Sequence, residues 1–161
     1  MDWLYSAIII LGSGLLVFIL GRIFPRKWIN PDNFYFKTWK WENDGKVYEK
    51  IGIKKWKTKW PDFSNIITKI FPKFMPKKRL DMSATDKLPV LIKECCVAEA
   101  THTICFVIGF IPVAIWPGVA SAVLSVLWAL THIPPIIIQR YNRPRFKQTL
   151  KRFTKQTQNN Q

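Results

Sequence analysis

Three stretches of the chain are apolar enough to cross a lipid bilayer. Residues 3–20 include no charged side chain, and at about 1.5 Å per residue they nearly span a hydrocarbon core of about 30 Å. Residues 100–139 contain no Lys, Arg, Asp or Glu and are about twice as long as one spanning helix requires. Trp116-Pro117-Gly118 near the middle predicts a helix stop and a turn. The pattern predicts one span at about residues 3–21 and a hairpin of two more, at about 97–116 and 119–138.

Two alternatives to these spans were weighed. A cleaved signal peptide has a basic flank before its apolar run, whereas Asp2 precedes this one and Arg22 follows it, so we interpret the first span as an uncleaved anchor. A buried helical hairpin in a soluble domain is the alternative for residues 100–139, but a chain of 161 residues is too small to cover one. We therefore predict an all-α integral membrane protein that forms a single membrane domain over residues 1–161.

The charge distribution predicts the orientation. The chain has a net charge of +15, and of its 25 Lys and Arg, 18 lie between Arg22 and Lys93 and seven between Arg140 and Lys155. The positive-inside rule then places the N-terminus and the turn at Pro117 outside the cell membrane, with residues 22–96 and a basic tail, 139–161, in the cytoplasm. Anionic membrane lipid is a sufficient partner for such a surface, so nucleic acid is not predicted. The three cysteines have no metal-site spacing, and no metal is predicted.

The cytoplasmic segment, about residues 22–96, is rich in aromatic side chains and holds five of the eight tryptophans. Tryptophan interleaved with lysine suits the headgroup layer of a membrane. Partial alternation over residues 34–41 and a renewed apolar pattern over 47–53 flank Asn-Asp-Gly at 43–45, which predicts a short β-hairpin. Residues 65–75 have apolar positions at helical spacing, which suits a helix in the interface plane or one packed on the protein.

Candidate chemistry lies where the second span enters the bilayer. Glu99 and His102 are three residues apart, on one face of a helix, and Glu94 lies about two turns before His102. Ionisable groups at membrane depth are costly and tend to serve a site or a pairing. A histidine held by a carboxylate is a suitable general base for a hydroxyl. The alternatives are that Glu99 pairs with a lysine and that His102 bonds a backbone carbonyl, both with structural roles.

The third span ends in a second polar group. His132 precedes the Pro-Pro pair at 134–135, which is expected to bend or break the helix, and is more typical of a packing or kink histidine. Arg140, Arg143 and Arg145 then follow within six residues. They suit either anchoring of the span to lipid phosphates or binding of the phosphate of an acyl carrier. The residues alone favour anchoring.

From about Phe34 onward, the chain resembles the glycosyl-4,4'-diaponeurosporenoate acyltransferase family of staphyloxanthin-type carotenoid biosynthesis. Four segments carry the resemblance: Phe36-Lys37 with Glu42, Gly45 and Lys46; Lys55-Trp56-Lys57 with Pro61-Asp62; Glu94, Ala98, Glu99 and His102; and Pro134-x-Ile136-Ile137 leading into Gln139-Arg140-Tyr141-Asn142-Arg143-Pro144-Arg145. The last is the most specific. The chain departs from the family pattern at Val97, Thr103 and His132, where the family has Arg, Trp and Asn.

The resemblance implies a membrane-bound O-acyltransferase that acts at the cytoplasmic membrane face. The donor would be the thioester of acyl-CoA or acyl-carrier protein, the acceptor a sugar hydroxyl of a glycosylated lipid of the carotenoid type, and no cofactor is implied. His102 is the expected general base, with Glu99 orienting it and Glu94 as a third catalytic candidate. The expected substrate-binding residues are Lys57, Trp56, Arg140, Asn142, Arg143 and Arg145. The alternative function is a non-catalytic membrane anchor or assembly factor that binds anionic lipid or a partner protein.

Overall fold

A computed structural model describes residues 2–61 and 84–159, and all the regular secondary structure of these residues is helical. The α-helices are α1 (Asp2–Ile23), α2 (Ile53–Trp56), α3 (Ala84–Ile108), α4 (Ile111–Ile115) and α5 (Val119–Asn159). Four short 3-10 helices lie between α1 and α2: Arg26–Trp28, Phe34–Phe36, Lys40–Glu42 and Lys46–Glu49.

Three of these helical stretches are long and apolar enough to cross a membrane: Trp3–Ile23, Asp86–Ile115 and Val119–Asn159. Their outward side chains are large and apolar, as at Leu11 and Val107, each of which leaves more than three-fifths of its surface uncovered. A helix satisfies its own backbone hydrogen bonds, which is what a lipid environment demands. The helical spans and the turn at Trp116-Pro117-Gly118 agree with the sequence prediction.

The long helices meet at small residues. A Cβ on Gly21 of α1 would collide with the Thr101 hydroxyl of α3. Ser6 of α1 and Ser121 of α5 approach within 3.2 Å through their hydroxyl oxygens, in a buried contact. Without a hydrophobic drive between helices in lipid, close backbone approach and buried hydroxyl bonds are the main sources of helix association.

The predicted β-hairpin at residues 34–53 is wrong. Asn43, Asp44 and Gly45 all have positive φ, but the residues on both sides form 3-10 helices with local hydrogen bonds, such as Gly45 N–H to Glu42 O at 2.9 Å. An isolated two-stranded hairpin is only marginally stable. Here the side chains of this segment dock on α5 instead, with Tyr48, Ile53 and Tyr141 forming a small buried core.

The basic residues that follow the third apolar stretch belong to the same helix. Helix α5 continues through Pro134, Pro135 and Pro144 to Asn159, so the Pro-Pro pair does not end the helix. Prolines are tolerated in membrane helices because neighbouring groups satisfy the backbone that they free. The predicted interfacial helix at residues 65–75 lies outside the described residues.

Candidate functional site

Two carboxylates and two guanidinium groups meet between α3, α5 and the 3-10 segment; we call Glu42, Glu99, Arg140 and Arg143 the ionic cluster. Arg140 donates from Nε and Nη2 to the two oxygens of Glu42, both at 2.6 Å, and from Nη1 to Glu99 Oε1 at 2.6 Å. Arg143 donates from Nη1 to the other oxygen of Glu99. Arg140 therefore joins the 3-10 segment to α3, and the arrangement brings together residues up to 98 positions apart.

The ionic cluster is buried. Glu42 has no exposed surface, Glu99 and Arg143 keep 1%, and Arg140 keeps 12% of its side chain exposed. Its two negative and two positive charges balance, which offsets part of the desolvation that single buried charges would cost. Nη2 of Arg143 is enclosed and has no hydrogen-bond partner among the described residues. The Arg143 guanidinium lies 5.6 Å from the centre of the Phe36 ring.

Glu42 is held as a carboxylate by its neighbours. Tyr48 donates its hydroxyl proton to Glu42 Oε1 at 2.5 Å, and the Trp39 amide donates to Oε2 at 2.6 Å. Burial alone would raise the pKa of Glu42, but the hydrogen bonds from Arg140, Tyr48 and the Trp39 amide outweigh it and hold the pKa below its ordinary value. The pKa of Tyr48 is raised above its ordinary range, mainly by burial and next by the hydrogen bond to Glu42.

His102 of α3 faces His132 of α5; we call these two residues the histidine pair. Their Nδ1 atoms are 3.0 Å apart and their ring centres 5.2 Å apart. Nε2 of His132 is enclosed without a partner in the described part of the chain. Both Glu99 oxygens accept from arginines, and the described residues show no hydrogen bond between Glu99 and His102.

Two further predicted residues converge on the ring of Tyr141. Lys57 Nζ lies 4.7 Å from the ring centre and donates to Asn142 Oδ1 at 3.1 Å, while the Arg145 guanidinium stacks on the ring at 3.5 Å. Burial lowers the pKa of Lys57, and the positive charge of Arg145 lowers it further. Arg145 also pairs with Glu49. We call Lys57, Arg145 and Tyr141 the tyrosine platform.

The remaining predicted residues lie near the site but have their own partners. Glu94 accepts from Nε and Nη2 of Arg26, at 2.9 and 3.1 Å. Arg26 also donates to the carbonyls of Gly21 and Arg22 at the end of α1, so this pair fastens that helix end to α3. Trp56 packs on the core beneath the tyrosine platform and donates from Nε1 to the Ile51 carbonyl.

A groove of about 240 Å³ opens beside the ionic cluster. It is lined by Asp32, Phe36, Lys37, Thr38, Asp44, Arg143, Pro144, Lys147, Gln148 and Lys151. Of the predicted site residues it includes Arg143 alone. This groove therefore does not bring Glu99, His102 and the arginines into one cavity.

Sequence reasoning placed Glu42 only within a resembling segment, took Tyr48 as one more aromatic residue and assigned His132 to packing. Glu42 had no signal of its own, because Asp44 and Glu49 are further acids in the same short stretch. The partner of His102 had no signal, because residues 30 positions apart on different helices show no sequence periodicity.

Comparison with known proteins gives a consistent result. The sequence profile of a family described as glycosyl-4,4'-diaponeurosporenoate acyltransferase matches residues 31–152. A curated protein of that name from Staphylococcus aureus strain N315 is 31% identical over 136 residues, which are 82% of this chain and 78% of the relative. Its counterparts from strains USA300 and Newman are 30% identical over the same shares. No solved structure matches the chain. The ionic cluster, the histidine pair and the tyrosine platform all lie within residues 31–152.

Proposed function

This chain belongs to the glycosyl-4,4'-diaponeurosporenoate acyltransferase family, and on that premise we propose that it transfers a fatty acyl group from a thioester to a sugar hydroxyl of a glycosylated carotenoid. The observation that carries the proposal is the family match over residues 31–152, which includes every polar group of the candidate site. The three apolar helices supply the membrane setting that a carotenoid acceptor requires.

In the proposed reaction His102 is the general base. Its ring nitrogen takes the proton from the sugar hydroxyl as the hydroxyl oxygen attacks the thioester carbonyl carbon. The tetrahedral intermediate then collapses, the carbon–sulfur bond breaks, and the leaving thiolate takes the proton back from the imidazolium. The products are the sugar ester and the free thiol, and no covalent acyl-enzyme is needed. Cys95, Cys96 and Cys105 are all buried, which supports direct transfer.

The tyrosine platform is the better candidate for the phosphate of the donor. Lys57 and Arg145 place two positive charges on one ring, and of the two Arg145 pairs with Glu49, which is about one-third exposed. A bound anion would offset the remaining repulsion. Arg140 and Arg143 are already neutralised by buried carboxylates. Their proposed role is to hold α5 against α3 and the 3-10 segment, which keeps the platform and the histidine pair at a fixed separation.

The acceptor is proposed to approach His102 from the bilayer. His102 lies among residues of α3 that present apolar side chains outward, such as Ile104 and Val107. A glycosylated carotenoid dissolved in the membrane can present its sugar hydroxyl to His102 without a deep protein cavity, while its apolar tail stays in the bilayer. The positive-inside rule places that end, with residues 22–96 and 139–161, in the cytoplasm, where acyl thioesters are found.

An acyl-transfer assay on membranes that contain this chain tests the proposal. Labelled acyl-CoA and labelled acyl-carrier protein are supplied separately, each with the glycosylated carotenoid or with native lipid extract as the acceptor. We expect label in the carotenoid. Label in another lipid would support acyl transfer but contradict the glycosylated carotenoid as the acceptor. Absence of transfer with both donors would contradict the enzyme assignment and favour the membrane anchor, and membranes with an empty vector are the control.

A further inference from the structure

We infer that His132 is a positioning residue, which accepts the Nδ1–H of His102 and so leaves Nε2 of His102 as the basic nitrogen. The inference rests on the proposed function, because it concerns how the proposed base is oriented. It assigns to a neutral histidine the role that the sequence predicted for Glu99.

The geometry of the histidine pair restricts its protonation. Two Nδ1 atoms 3.0 Å apart are at hydrogen-bond distance, and in a neutral pair one must carry the proton while the other supplies a lone pair. One ring is therefore the Nδ1–H tautomer with a free Nε2 lone pair, and the other is the Nε2–H tautomer. Only the ring that donates at Nδ1 retains a basic nitrogen at Nε2.

Access of the substrate to Nε2 selects which ring can serve as the base. Nε2 of His132 is enclosed by protein, so a substrate hydroxyl does not reach it. His132 can assist the reaction only as the acceptor. With His102 as the donor, the free lone pair is on Nε2 of His102, and the imidazolium that forms when it takes a proton keeps its Nδ1–H bonded to His132.

His132 is itself held in place by Trp128. The two rings meet edge to face with centres 4.6 Å apart, and Trp128 Nε1 donates to the Cys105 carbonyl at 3.0 Å. The indole fills the space above two glycines, since a Cβ on Gly14 or Gly109 would lie within 2.7 Å of it. Because Trp128 holds the His132 ring in place, Nδ1 of His132 stays directed at His102, which preorganises the base.

The tautomers can be measured without any assay of activity. The chain has two histidines, so labelling histidine with ¹⁵N gives four ring nitrogen signals from protein in lipid nanodiscs. We expect a scalar coupling between the two Nδ1 nuclei, with the shared proton bonded to Nδ1 of His102. Absence of the coupling, or a proton bonded to Nδ1 of His132, would overturn the inference.

Kinetics of two variants at His132 test the consequence for catalysis. His132→Leu removes the acceptor and should lower kcat by about tenfold to a hundredfold, with the KM of the donor unchanged. His132→Asn restores an acceptor oxygen and should recover most of the rate even if the leucine variant folds poorly. Thr131→Val is the matched control, since this neighbouring hydroxyl is exposed and, among the described residues, donates to the Trp128 carbonyl alone. A full rate in His132→Leu, or no recovery in His132→Asn, would contradict the positioning role.

Failure of this inference is distinguishable from failure of the proposed function. If His102→Gln transfers acyl groups at the wild-type rate, the assignment of the base is wrong. If His102→Gln is impaired but His132→Leu is not, the base stands and the positioning role of His132 is wrong.

Discussion

At the scale of single residues, the account depends on charges that are buried but fully paired. Arg140 contacts both Glu42 and Glu99, and each of those carboxylates accepts at least two hydrogen bonds. Removal of one partner from such an arrangement leaves an uncompensated charge, which costs more than the intact pair contributes. The ionic cluster should therefore respond strongly to single substitutions.

Glu42→Gln should lower the free energy of unfolding by about 3 kcal/mol, because Arg140 loses a buried counter-charge. The pKa of Glu42 is lowered in the folded protein, so its contribution is complete above its unfolded value of about 4.5 and is lost as the pH falls through the folded value. Unfolding midpoints in detergent between pH 7 and pH 3 measure both effects.

The wild-type midpoint should fall in acid more steeply than that of the Glu42→Gln variant. Glu49→Gln is the matched control, since Glu49 also pairs with basic residues but is about one-third exposed, and it should leave the midpoint at pH 7 unchanged. Equal midpoints for all three proteins would contradict a stabilising role for the ionic cluster.

Lys57→Ala should raise the KM of the acyl donor by about tenfold with little change in kcat, because the tyrosine platform is proposed to bind the donor equally in the ground and transition states. Initial rates at varied donor concentration measure this. Lys54→Ala, which removes an exposed lysine three residues away, should leave both constants unchanged. A fall in kcat at constant KM would instead give Lys57 a role in the chemical step.

The sequence located several of these residues but not their partners. Glu99, His102 and the three arginines were predicted because ionisable groups near a membrane span are unusual. Their pairing depends on which faces of α3 and α5 meet and on where the 3-10 segment docks. Neither follows from spacing within one element, so Glu42 and His132 were assigned no site role in advance.

At the scale of elements, the packing of the helices is set by small residues opposite large ones. Trp128 of α5 lies against Gly14 of α1 and against Gly109 after the end of α3. The same indole contacts His132. Helix contact and histidine orientation are therefore linked through one side chain.

Gly14→Ala and Gly109→Ala should each lower the free energy of unfolding by about 1–3 kcal/mol, because the added methyl group displaces Trp128. Both should also slow acyl transfer, since His132 loses its support. Gly12→Ala is the control on the same helix, as its Cβ would meet no atom within 4 Å. Thermal unfolding in detergent and the transfer rate together test this. Full stability and activity in the Gly109→Ala variant would contradict the packing role of Trp128.

The elements were predictable to different degrees for a physical reason. Long uncharged runs and the Trp116-Pro117-Gly118 turn are local signals, and the structure confirms three helical stretches that are long and apolar enough to cross a membrane, with a bend at this turn. The hairpin prediction failed because alternation in residues 34–53 is weak, and docking of Tyr48 and Ile53 on Tyr141 outweighs strand pairing. The three prolines of α5 do not end it.

At the scale of the whole molecule, polar chemistry is confined to one end of an apolar bundle. The ionic cluster and the tyrosine platform lie at the same end of α5. Large exposed apolar side chains of α1, α3 and α5 cover the rest of the bundle. Such an arrangement suits an enzyme that receives a water-soluble donor from one side and a lipid acceptor from the bilayer.

The proposed orientation predicts opposite accessibility for two introduced cysteines. In a variant without Cys95, Cys96 and Cys105, Gly118→Cys lies at the turn between the second and third spans, and Gln158→Cys lies near the end of α5. A membrane-impermeant maleimide added to intact cells should label the first and reach the second only after permeabilisation. The reverse pattern would contradict the cytoplasmic location of the site.

The most direct test of the central claim is the rate of acyl transfer by purified wild-type protein and His102→Gln in lipid vesicles, with a labelled acyl thioester and the glycosylated carotenoid. Wild-type protein should transfer the label to the sugar, and the variant should be slower by a factor of about 10² to 10⁴, the usual contribution of a general base. Unaltered unfolding of the variant shows that the fold is retained. Equal rates for the two proteins would contradict the mechanism.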